Sequence, residues 1–136
     1  MKKHKSIIDT YETLYQIDIV VANKYSTVEE LKKKYKYSND TPLDDFITTG
    51  ICTTSVVNRL SDNKTCILIK YNHDTKIKSL DPVLDFINTV CHESGHVTLE
   101  IYRAIGQDVC PCSQEPFCYL LGFAAECIYK TLKKKC

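Results

Sequence analysis

The chain has 136 residues, 43% of them hydrophobic and 26% charged, a size and make-up that fit one compact domain spanning 1–136. Its 18 basic and 17 acidic side chains leave a formal net charge of +1, so no overall field draws it to nucleic acid or to an anionic membrane. No apolar run approaches the roughly 18 residues of a spanning helix. The opening MKKHKSIIDTYE also lacks the apolar core of a secretory signal, so the expectation is a cytoplasmic protein with no nucleic-acid or membrane partner.

In chain order, Tyr15 to Ala22 is β-branched and partly alternating, which predicts a first strand with a buried face. Ser26 or Thr27 caps a following helix, with Glu29 and Glu30 in its first turn and Lys32, Lys33 and Lys34 in its last, the charge order a helix dipole favours. Ser38 to Pro42 reads as a turn. The segments Ile51–Val57 and Thr65–Tyr71 flank the turn-forming Ser61-Asp62-Asn63-Lys64 and predict a hairpin.

The last third is helical. Asp81 and Pro82 mark an N-cap and a first helical residue, and Gly106 a stop, so one helix is predicted over 82–105. Apolar residues on more than one side of it predict a central helix covered on most faces, with its histidines inside the fold. A second helix starts near Ser113, tolerates Pro116 in its first turn and runs to the lysines at 133–135, packing antiparallel on the first. Strands followed by helices give an α+β class.

Cysteines stand at 52, 66, 91, 110, 112, 118, 127 and 136. In a reducing compartment they are expected as free thiols, several at apolar helical positions, with Cys110-Pro111-Cys112 forming a loop. His4 and His73 lie in polar segments and receive no role.

His92-Glu93-Ser94-Gly95-His96 carries the chemistry. Residues four apart share a helix face, so His92 and His96 can direct imidazole nitrogens at one ion about 2.0 Å away, with Glu93 at its flank. Catalytic zinc takes three protein ligands and leaves one open position, so a third donor is needed. Glu115 is the choice: eighteen residues after His96, it is reached by finishing the first helix, turning, and starting the second alongside, and the helix dipole favours its ionised form. Glu100 lies about 12 Å beyond His92 on the same helix, and Glu126 about 16 Å along its helix from Glu115, which argues against both. Gly95 costs about 1 kcal/mol relative to alanine in a helix, an expense explained if another backbone approaches the metal face. Asn88 and Glu100, each four residues from a histidine, are candidates to orient the ligands.

His92-Glu93-x-x-His96 followed after eighteen residues by Glu115 resembles the gluzincin zinc metallopeptidases. With Gln114 to Gly122 added, residues 80–132 resemble small zincin-like proteins of bacteriophages and prophages. The resemblance implies a minimal zincin-like fold: a small N-terminal sheet packed on a long active-site helix and an antiparallel C-terminal helix. It also implies Zn2+ at His92, His96 and Glu115, with Glu93 as general base on a peptide or protein substrate. Tyr102 stands where metzincins place a third histidine. Tyr119, one turn after Glu115, is the first place to look for an oxyanion donor, or else a core tyrosine. The alternative to a peptidase is a non-catalytic protein in which zinc ties the two helices together. A metal-free interaction module is the third reading.

Overall fold

The computed structural model describes residues 4–72 and 81–134. Five strands, β1 (Ile8–Tyr11), β2 (Asp18–Ala22), β3 (Tyr35–Tyr37), β4 (Cys52–Arg59) and β5 (Thr65–Tyr71), form one sheet in the order β1-β2-β5-β4-β3. Three helices, α1 (Val28–Lys32), α2 (Pro82–Ala104) and α3 (Gln114–Leu132), complete the α+β fold, with α2 and α3 packed together.

The central strands explain why the apolar signal is densest where it is. Ile19 and Val21 of β2, with Ile67 and Ile69 of β5, face the long helices and meet Val90, Val97, Ile101, Leu120, Ala124 and Ile128. Val20 and Ala22, with Leu68, face the other way onto Leu31, Leu43 and Ile47. A sheet covered on both faces needs a continuous apolar run rather than an alternating one, and each fully buried aliphatic side chain there contributes about 1.5–3 kcal/mol. β2 and β5 pair in parallel, whereas β4 and β5 form the antiparallel hairpin predicted from sequence. β1 and β3, the sheet's edges, lie outside the predicted elements. Each is only three or four residues long, and Tyr35 of β3 is the one buried residue in either, so neither carries a periodic pattern to detect.

α1 is one capped turn. The Thr27 hydroxyl accepts from the Glu30 amide and the Glu30 carboxylate accepts from the Thr27 amide, but the helix ends at Lys32 because Tyr35 is already drawn into β3. At the start of β2, Asp18 is buried between Arg59 and Lys64. Burial alone would raise its carboxyl, but Lys64 and Arg59 together hold it below the ordinary carboxylate range.

α2 begins where expected, with the Asp81 carboxylate accepting from the Val83 and Leu84 amides. It is not covered on most faces. Val83, Leu84, Ile87 and Leu99 are exposed, as are His92 and His96, because among the described residues α2 packs chiefly on strands β4 and β5 on one side and on α3 on another. The histidines therefore face outward, contrary to the sequence expectation.

α3 runs antiparallel to α2, as the ring contacts Tyr102–Phe117 at 5.4 Å and Phe86–Tyr129 at 6.0 Å require. Its far end is fastened to β1. Thr131 donates to Asp9 at 2.8 Å and accepts from the Tyr11 hydroxyl at 2.7 Å, and Lys134 pairs with Asp9 at 2.7 Å. The α2–α3 connection turns through Gly106 at φ 69 and carries a disulfide between Cys110 and Cys112, which corrects the expectation of free thiols throughout. A one-residue spacing across Pro111 brings these two sulfurs together. Cys52, Cys66, Cys91, Cys118 and Cys127 are free. His73 and Cys136 lie outside the described residues. No helix among the described residues is long and apolar enough to cross a membrane.

Candidate metal centre

Consecutive turns of α2 put His92 and His96 side by side. Their Nε2 atoms stand 3.1 Å apart and the rings meet edge to face, with centroids 4.8 Å apart. Two ligands on a tetrahedral ion, each about 2.0 Å from it, are separated by roughly 3.3 Å, so this bite fits zinc. Without a metal the same contact is a hydrogen bond in which one ring donates its Nε2 proton to the other. An ion held by both Nε2 atoms would require that proton to sit on Nδ1 of the same ring instead.

Glu93 turns from the same helix toward the sheet. It is buried, and its Oε2 accepts a hydrogen bond from the Thr54 hydroxyl of β4. Thr54 escaped the sequence reading. The signal available was the alternation of β4, which places Thr54 and Val56 on the face toward α2 and Thr53 and Val57 on the other. A recess of about 410 Å³ opens between the two elements, lined by Gly50, Ile51, Cys52, Asn88, Thr89, His92 and Glu93. Asn88, one of the two candidates to orient the ligands, is in this wall. Glu100, the other, is ion-paired with Arg103 at 3.2 Å. Burial, reinforced by the Glu93 charge, drives the Cys52 thiol far above its ordinary pKa, so it remains protonated and is neither nucleophile nor thiolate ligand at neutral pH.

The sheet leaves an edge beside this recess. β3 pairs only with Val57, Asn58 and Arg59, so among the described residues no strand pairs with the outer side of Cys52 to Ser55. The Ile51 carbonyl accepts from Asn72 at the end of β5, and the Val56 carbonyl accepts from Ser38 on the opposite side. By alternation the backbone groups of Cys52 and Thr54 point outward along that edge.

Glu115 is elsewhere. Among the described residues no three His, Cys, Asp or Glu side chains form a group able to hold a metal ion. The Tyr102–Phe117 contact explains why: it sets Glu115 level with the end of α2, roughly 12 Å beyond His96 at 1.5 Å per residue. α2 continues from His96 to Ala104 before the chain turns, so the first turn of α3 falls past the histidines rather than beside them. Glu115 instead lines a cleft with Tyr119, which is 75% exposed and not at hand as an oxyanion donor. By the Phe86–Tyr129 contact Glu126 comes nearer in level to His92, but it is ion-paired with Lys130 at 2.6 Å. Nor does a backbone press on Gly95, since a Cβ built there meets nothing within 4 Å. The expected close approach is absent.

The structure thus brings His92 and His96 together beside Glu93 and leaves Glu115, the expected third ligand, apart from them. Comparisons with protein-family models, with curated proteins and with solved structures find no match.

Proposed function

We propose that the chain is a zinc-dependent peptide-bond hydrolase in which His92 and His96 hold the metal and Glu93 is the general base. The observation that carries this reading is the 3.1 Å convergence of the two Nε2 atoms on an exposed helix face, one residue from a buried carboxylate. Bound there, zinc would polarise a scissile carbonyl and lower the pKa of a water toward about 7. Glu93 takes the proton of the attacking water and returns it to the leaving amine, and Thr54 fixes the carboxylate that does so. The outward backbone groups of Cys52 and Thr54 offer hydrogen bonds to an extended peptide laid beside the recess, the mode by which sheet edges align substrates. This reading keeps the resemblance to zincin-like phage proteins and a cytoplasmic setting in a bacterial or phage-infected cell.

The rival, zinc as a staple between α2 and α3, is disfavoured by the histidines' exposure on the outer face of α2. Zinc analysis of protein purified without added metal, together with a peptide-library cleavage assay, tests the choice. About one zinc per chain is expected in both wild type and Glu93→Gln, with cleavage lower by more than about 100-fold in the variant. Absence of zinc, or equal cleavage by the two proteins, contradicts the proposal. Zinc without turnover in the wild type favours the staple.

A further inference from the structure

A second concavity lies on the far side of α3, between the β1–β2 turn and the first turns of the helix. It measures about 750 Å³ and is lined by Glu12, Leu14, Tyr15, Glu115, Tyr119 and Phe123, among others. That volume is in the usual range of ligand sites, roughly 300–1,000 Å³. Its walls are apolar in an unusual way. Leu14 is 97% exposed, Tyr119 75% and Phe123 36%, although α3 already buries Leu120, Ala124, Cys127 and Ile128 against the sheet. A contiguous set of exposed large apolar side chains marks a binding surface, whereas scattered single ones do not.

The turn that presents Leu14 is held in shape. The Thr13 hydroxyl donates to the Ile17 carbonyl at 2.6 Å and accepts from the Tyr15 amide at 3.2 Å, and Gln16 adopts φ 58 to close the turn. On the opposite wall, the latch between Thr131 and β1 fixes the lie of α3. Both sides are therefore preorganised, which lowers the ordering cost of binding.

Charge selects the occupant. Each wall carries one carboxylate, Glu12 on the turn and Glu115 on α3, and neither forms an ion pair among the described residues. Lys64 senses the Glu12 charge, but its ammonium is committed to Asp18 at 2.8 Å. Two anionic rims beside an apolar floor repel acidic groups and attract a cation whose neighbours are apolar. We propose that this cleft binds a polypeptide segment in which an apolar or aromatic side chain stands between lysine or arginine residues. The apolar side chain fills the space between Leu14, Tyr119 and Phe123, and a cation on each side reaches one carboxylate. The site is separate from the histidine pair and needs no metal.

Fluorescence anisotropy with a labelled octapeptide alternating Leu or Phe with Lys or Arg tests this. Saturable binding that weakens with added salt is expected, together with a loss of more than about tenfold in the double variant Glu12→Gln/Glu115→Gln and in Leu14→Ser. Circular dichroism establishes that the variants fold, and Glu12→Gln and Leu14→Ser lie outside the metal proposal. Absence of binding overturns the inference, as does equal binding of a peptide with Glu in place of its cations or Ser in place of its apolar residues. Variants that bind like the wild type also overturn it. So does sedimentation showing the cleft closed in a dimer that Leu14→Ser dissolves.

Discussion

The recess beside His92 and the cleft beside Glu115 are built in different ways. The recess takes His92 and Glu93 from one helix, the spacing of His92 to His96 follows from helix geometry alone, and Thr54 of β4 adds one bond to the Glu93 carboxylate. The cleft joins a turn near the N-terminus to the start of α3, so its make-up depends on how α3 is set against the sheet. A motif inside one helix survives any arrangement of its neighbours. A motif that spans two helices survives only if their register brings it together, and the aromatic contacts here set a register that sends Glu115 to the cleft.

Substitutions on one side should therefore leave the other untouched. The largest effect is expected at Thr54, a positioning residue. Thr54→Val should lower kcat by about 10–100-fold, leave zinc content and cleft-peptide affinity unchanged, and be rescued by Thr54→Ser, which restores the hydroxyl. Steady-state kinetics beside metal analysis reads this, and failure of the serine to rescue would show that Thr54 acts through packing instead.

Glu115→Gln is the converse. Competition titration against a zinc-binding dye should show zinc affinity within about threefold of wild type, below the 10–100-fold typical of losing even an outer partner of a metal ligand. A larger drop would mean that the first turn of α3 closes on the ion and that the two regions share a residue.

The smallest effect is at Gly95, between His92 and His96 on α2. Open space around its Cβ position leaves only helix propensity to act, so Gly95→Ala should raise unfolding free energy by about 0.5–1 kcal/mol in urea titration. Destabilisation would reinstate the close approach that the sequence suggested.

Much of this was legible residue by residue. Asp81, Pro82 and Gly106 delimit α2 because caps and breakers act locally, and Ser61 to Lys64 marks the β4–β5 connection for the same reason. His92, Glu93 and His96 were placed together by helix spacing. What escaped depends on contacts remote in sequence. The parallel pairing of β2 with β5 leaves no local trace, and β1 and β3 are too short for a periodic signal. The position of Glu115 was misjudged because spacing measures chain length and not the direction in which the loop after Ala104 delivers α3. The outward orientation of the histidines was missed because apolar residues around α2 read as burial, while Val83, Leu84 and Leu99 remain exposed.

The central claim is that the imidazoles of His92 and His96 share one zinc ion beside Glu93. Zinc-edge X-ray absorption on the zinc-loaded wild type and on His96→Ala tests it most directly. The account predicts two imidazole nitrogens at about 2.0 Å in the wild type and loss of at least one of them in the variant. A zinc shell without imidazole, or one that His96→Ala leaves unchanged, would contradict it.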